Sequence, residues 1–273
     1  MIYGLRELQK DERDLSVGAL FSLPKLEELP DSFDIPTLEI KDQGESDFCA
    51  AYASCSASEI QEAKKLEPAW TFAISKTLSG DVDEYGQDLR TIMKTHVKFG
   101  AIEKSDVDQS IKNRSADHLR RIENWNDKLR RIAIYHKKAS FMDCKGPYDA
   151  FDNIRACMWK FKNEKRAVVS GVKWGWDSDI EKIDDMGTPK GGHAILYRGW
   201  KGEYLLMQNS YGKDAGRNGV HLIHRSVVND YVGRYGAFMF QDISPEEARW
   251  YLNNGKKADR SWLLNLISTF FKL

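Results

Sequence analysis

Residues 43–52 read Gln43-Gly44-Glu45-Ser46-Asp47-Phe48-Cys49-Ala50-Ala51-Tyr52. A glycine-containing turn here delivers a cysteine to the head of a stretch, Cys49 to Lys65, in which Ala50, Ala53 and Ala57 recur at helical spacing. Cys49 therefore falls in the first turn of a predicted helix. Unpaired backbone N–H groups and the positive end of the helix dipole favour thiolate over thiol at such a position. A nucleophilic thiolate needs a base, and the base needs an orienting partner. Gly191-Gly192-His193-Ala194, on a predicted strand, offers the base. The next strand ends in Gln208-Asn209-Ser210-Tyr211-Gly212, where the Asn209 amide can accept an imidazole N–H. Antiparallel pairing of those strands brings His193 and Asn209 together. Gln43, six positions before Cys49, can aim an amide N–H at a developing oxyanion, beside the backbone N–H of Cys49. The candidate catalytic set is Cys49, His193, Asn209 and Gln43.

In the order Gln, Cys, His, Asn, these segments resemble the papain-like cysteine peptidases. That family's pattern is Gln-Gly, a Cys at a helix start, Gly-His-Ala, then Asn-Ser-aromatic-Gly. His193 and Asn209 lie 144 and 160 positions after Cys49, compatible with the roughly 130–150 typical of the family. Gly212-Lys213-Asp214-Ala215-Gly216-Arg217-Asn218-Gly219-Val220 resembles the glycine-punctuated turn after the family's Asn. Asp11-Glu12-Arg13-Asp14, with Leu29-Pro30-Asp31-Ser32-Phe33-Asp34 further on, resembles the short N-terminal arm of microbial members. The resemblance thus covers residues 3 to 242.

It implies an α+β, two-lobed fold. A helical left lobe would carry Cys49, an antiparallel, barrel-like right lobe would carry His193 and Asn209, and peptide or protein substrate would bind between them. The implied activity is peptide-bond hydrolysis through a thiolate–imidazolium pair and an acyl-enzyme, with no cofactor and no metal. Departures from the family pattern are local. Ala50 stands where an aromatic residue usually follows the nucleophile, and Ser46 where a cysteine usually pairs in a disulfide. Tyr211 and Ala215 replace two indoles that shield the His–Asn hydrogen bond, so less area is expected to cover that pair. Two alternatives stay open: a catalytically inactive relative serving as a binding or structural component, and a Cys-His-Asn acyltransferase or amidase. An arm of 1–30 is shorter than a full inhibitory propeptide of the family, so autoinhibition by it is not expected.

Outward from the motifs, hydrophobic periodicity gives the organisation. Leu89, Ile92, Met93 and Val97 mark a helix stopped by Gly100. Leu119, Ile122, Leu129 and Ile132 predict a further amphipathic helix, and Ile154, Cys157, Met158 and Phe161 another. After about residue 165 the period shortens, and 167–174, 193–200, 203–210, 219–225 and 236–241 read as strands of an antiparallel sheet or barrel. Helices first and strands second suggest α+β. The predicted divisions are an arm over 1–30, a helical lobe over 31–140, a β-rich lobe over 141–242 and an extension over 243–273. In that extension Trp262, Leu266, Phe270 and Leu273 share one helical stripe, a candidate surface for packing or partner docking.

Lys+Arg and Asp+Glu both number 41, so net charge gives no general attraction to nucleic acid or anionic membrane. The nine cations between Lys112 and Lys138 read as the solvated face of a helix, not a nucleic-acid surface. No run approaches the roughly 18 apolar residues of a membrane span, and the N-terminus has no signal-like apolar core. With only four cysteines, free thiols and a reducing, cytoplasmic setting are expected. His96 reads as a core histidine, and His118, His136, His221 and His224 accompany no motif. No Cys/His cluster has zinc spacing. Asp177–Asp185 fails the calcium-loop pattern at Lys182 and Thr188 and reads as a solvated loop that would favour basic substrate side chains.

Overall fold

The computed structural model describes residues 3–9, 11, 14–112 and 114–241. The extension 243–273, with its apolar stripe, lies outside the described residues. The chain begins with the short helix α1 (Val17–Leu20) and strand β1 (Ser32–Asp34). Three longer helices follow: α2 (Cys49–Glu62), α3 (Pro68–Ser79) and α4 (Leu89–Lys98). Small residues let α2 bury almost every side: Cys49, Ala50, Ala51, Ala53, Ser54, Cys55 and Ala57 are all inaccessible or nearly so. Such a helix can thread the middle of a lobe because no large polar side chain must reach water. The Glu67 carboxylate and the Asp88 carboxylate cap α3 and α4 by accepting backbone N–H groups. Helices α3 and α4 pack on each other and on α2.

Residues 119–132 do not form the single amphipathic helix that the periodicity suggests, and the chain around them, 104–138, is irregular. The segment is broken into α5 (Gln109–Lys112), α6 (Ala116–Leu119) and α7 (Lys128–Ala133), with 3-10 turns at Ile122–Asn124 and Ile134–His136. Side chains compete for the backbone there. Trp125 Nε1–H donates to the Leu119 carbonyl, and Asn126 Oδ1 accepts the Lys128 N–H, where α7 begins. Two of the nine cations are buried in ion pairs, Arg120 with Asp47 and Lys138 with Glu62.

The second half contains β2 (Ser140–Asp143), α8 (Ala150–Lys160), β3 (Val168–Trp174), β4 (Lys182–Ile183), β5 (Gly191–Lys201), β6 (Tyr204–Gln208), β7 (Val220–His224), α9 (Arg225–Tyr235) and β8 (Ala237–Gln241). The strands run in the order β2-β8-β3-β5-β6-β7-β4, with β1 added to β5. All pairs are antiparallel except β4 with β7. The expected barrel-like sheet is therefore open and mixed. Three short strands and α9 lacked the alternation needed to be read from sequence. Helix α2 packs on β5, so the N-terminus of the central helix meets the long central strand. Among the described residues, no helix is long and apolar enough to cross a membrane.

Candidate active site

Cys49 is the first residue of α2, and the backbone N–H groups of Ala194 on β5, Gly4 and Ala50 lie close enough to its sulfur to favour the anion. The thiol therefore sits against the strand that carries His193. On the imidazole, Nε2 is 2.8 Å from Asn209 Oδ1. Ser210 N–H also donates to that oxygen, at 2.7 Å. A backbone N–H only donates, so the amide oxygen faces His193 and Nε2 of the imidazole carries the proton. The other nitrogen, Nδ1, is left as the acceptor; it is buried and has no hydrogen-bond partner among the described residues. The Cys49 sulfur thus lies against the residue next to His193 on β5, and His193 is bonded to Asn209, 16 positions further on.

Aromatic cover of the pair is larger than sequence reading suggests. Tyr211 stacks on His193 with ring centroids 4.5 Å apart and 19° between planes. Trp174, at the end of β3, presents an edge to His193, to Tyr211 and to His221, at 5.6, 5.3 and 5.3 Å. An indole from another strand thus supplies area missing at Tyr211 and Ala215.

Gln43 lies in the loop that leads to Cys49 and is 4% exposed. Its Oε1 accepts from Ser210 Oγ at 2.6 Å, and its Nε2–H donates to the Ser46 carbonyl at 2.7 Å. In this conformation Gln43 ties the nucleophile loop to the Asn209–Ser210 segment, and at least one of its two amide hydrogens is engaged within the loop. A second anchor went unread in the sequence. Asp47 accepts from Gly86 N–H at 2.6 Å and from Arg120 Nη2 at 3.0 Å, both inside the protein. No motif announces this pair, because its members are 73 positions apart.

The site is closed. Residues 3–8 run between the two halves of the molecule, over the thiol. Gln87 N–H donates to Gly4 O and Arg6 N–H to Gln87 O, while Leu5 N–H donates to Gly192 O at 2.9 Å and Leu8 N–H to Arg234 O. Contact is so close that a Cβ on Gly4 would lie 2.0 Å from the Asp47 carbonyl oxygen, and one on Gly192 would lie 2.2 Å from the Leu5 oxygen. The Leu5 side chain fills the space above Gly171 beside Tyr235. Arg6 is held by Asp81, Glu84 and Gln87, and further along Asp14 and the Gln9 carbonyl are gripped by Arg90.

Closure changes the protonation of the pair. Burial pushes the Cys49 thiol up to about 11, against the N–H donors that favour its anion. Burial likewise pulls His193 down to about 4, against its bond to Asn209. With the cleft closed, burial disfavours the charged form of each group, and so works against the thiolate–imidazolium pair expected from the sequence. Cys55, Cys144 and Cys157 are buried free thiols. His96 is a core histidine whose Nε2 meets Ser54 Oγ at 3.0 Å.

Comparison with family models and with curated proteins gives no match for the sequence. Comparison of structures does. Xylellain, a cysteine protease from Xylella fastidiosa, superposes with a TM-score of 0.71 over 88% of this chain and 96% of its own, at 17% identity. A procathepsin B from Trypanosoma congolense gives 0.62 over 87% and 85%, at 17% identity. The bromelain protease of Ananas comosus gives 0.57 over 78% and 98%, at 13% identity. The chain has the papain-like fold of these cysteine proteases.

Proposed function

We propose that the chain is a cysteine peptidase, with Cys49 as nucleophile and His193 as its base, held shut by its own residues 3–8. The observation that carries the reading is the His193 Nε2–Asn209 Oδ1 bond at 2.8 Å, on the strand against which the thiol at the first position of α2 is packed. With the Nε2 proton committed to Asn209, Nδ1 is the atom left to take the thiol proton. Once the arm leaves, water and substrate dipoles relieve the desolvation that keeps both groups neutral, and the N-terminus of α2 then favours the thiolate. Attack on a peptide carbonyl places the oxyanion near the Cys49 N–H and the Gln43 amide, and His193 hands its proton to the leaving amine. A peptide entering the vacated groove meets the backbone edges that now bind the arm, Gln87 on one side and Gly192 on the other. The exposed carboxylates of Asp177, Asp179 and Glu181 lie in the loop between β3 and β4, where they would favour a basic substrate side chain. Four free thiols suit a reducing compartment, and we place the protein in one.

The buried neutral thiol also fits a permanently blocked relative that only binds or builds. Gly4→Ala separates the two, because its Cβ cannot coexist with the Asp47 carbonyl oxygen. An enzyme should then be labelled at Cys49 by a peptidyl epoxide and should hydrolyse unstructured peptides, with both signals lost in Gly4→Ala/His193→Ala. An unseated arm with no labelling and no hydrolysis overturns the peptidase reading. An added amine acceptor that outcompetes water would move it to acyl transfer.

A further inference from the structure

Asn209 holds the imidazole, but something must hold Asn209. With Oδ1 fixed by His193 Nε2–H and Ser210 N–H, its Nδ2 has to face the other way, and there it meets His221 Nε2 at 3.4 Å. His221 sits on β7, which pairs with β6 in the register Met207 to His221. Its Nδ1 lies 2.5 Å from the Ile180 carbonyl oxygen, in the loop leading to β4. A carbonyl only accepts, so Nδ1 carries the proton and Nε2 is an unprotonated acceptor for the Asn209 amide N–H. The ring is fully buried. One face is reserved by Gly216, where a Cβ would come within 2.8 Å of Nδ1; Trp174 presents its edge at 5.3 Å.

We propose that His221 is a positioning residue for the catalytic base: anchored on Ile180 O, it orients the Asn209 amide and thereby fixes the His193 tautomer with the proton on Nε2 and Nδ1 open. The proposal rests on the reading of His193 as the base. Proton identity passes along a chain in which each group permits one arrangement of the next. Ile180 O demands Nδ1–H on His221, whose bare Nε2 demands Asn209 Nδ2–H. The amide oxygen then demands Nε2–H on His193. The sequence marks none of this except that His221 lies two residues past a glycine turn, on the strand after the one that ends at Asn209.

Ring-nitrogen NMR on the full chain reads the tautomers directly. In the wild type, His221 is expected to be protonated at Nδ1 and bare at Nε2, and His193 the reverse. His221→Phe keeps a ring of similar shape but removes both nitrogens. It should let the His193 Nε2–H exchange with solvent about tenfold faster, the scale of one net hydrogen bond lost, and mix its tautomers. His221→Gln, with one amide acceptor and one donor, should restore the slow exchange. A protonated Nε2 on wild-type His221, or unchanged His193 exchange in a folded His221→Phe, overturns the proposal. If the Phe variant does not fold, the wild-type tautomer decides alone. Failure of the peptidase reading shows elsewhere, as an unreactive Cys49 in Gly4→Ala with these ring signals intact.

Discussion

At the residue scale, the candidate set could be picked out because the chemistry it would perform leaves short-range patterns in a sequence. A nucleophile at a helix start and a base after a glycine pair are short-range patterns, and an amide at a strand end is another. The fold bonds His193 to Asn209 and sets the Cys49 sulfur against the neighbouring Ala194, while Gln43 is engaged with Ser46 and Ser210. What sits behind them was not legible. His221, Trp174 and the Asp47–Arg120 pair act across strands and helices, and their spacing in sequence follows no rule. The assembly is nonetheless dense in buried polar bonds, and Asn209 is its centre. Asn209→Ala leaves the His193 Nε2–H, the Ser210 N–H and the His221 acceptor unsatisfied out of reach of water. A single buried polar group so stranded costs about 1–3 kcal/mol, and urea unfolding of the variant should show a loss of at least that size. In a Gly4→Ala background the same substitution should also slow peptide hydrolysis, because the imidazole is no longer held in one tautomer.

At the element scale, periodicity found α2, α4, α8 and five strands, but it misjudged one helical segment. Residues 119–132 have helical spacing, yet Arg120 is drawn inward to Asp47 and the chain breaks into turns around that contact. Removing Arg120 strands a buried carboxylate, a loss of about 3–5 kcal/mol. Arg120→Ala should therefore unfold at lower urea than the wild type, while Asp47→Asn/Arg120→Ala should recover part of the loss. The arm was judged by its length, which is too short to build an inhibitory domain. Closure needs no domain. Residues 3–8 cross the groove on backbone bonds to Gln87 on one side and to Gly192 on the other. Arg90 clamps the arm through a largely buried contact with Asp14. Asp14→Ala should loosen closure, read as faster alkylation of Cys49 by iodoacetamide, with Cys49→Ser as the blank. Equal rates in Asp14→Ala and wild type would show that the cleft contacts alone hold the arm.

At the scale of the whole molecule, the arm and the two packed halves exclude water from groups that ordinarily titrate, and that exclusion must appear in the pH dependence of folding. His193 is held down to about 4 and His96 to about 3, both by burial, against an ordinary value of 6.5. In the unfolded chain each takes up a proton as pH falls through 6.5; in the folded protein neither does until far lower. The unfolded state then binds more protons, so stability is fully present above about pH 6.5 and is lost as pH falls toward 4. On the alkaline side the sign reverses. Cys49, raised to about 11 by burial, keeps its proton when the unfolded thiol, near 9, has lost it, and stability declines between those values. Urea midpoints across this range should trace a plateau near neutrality with a shoulder on each flank. His193→Gln keeps a hydrogen-bond donor for Asn209 but cannot titrate, so it should flatten the part of the acid limb between pH 6.5 and 4 and leave the alkaline limb alone. Gly4→Ala should shrink both flanks together, since lifting one segment rehydrates the thiol and the imidazole at once. If the flanks of Gly4→Ala match those of the wild type, the burial of the pair is owed to the lobes themselves and not to the arm that crosses them.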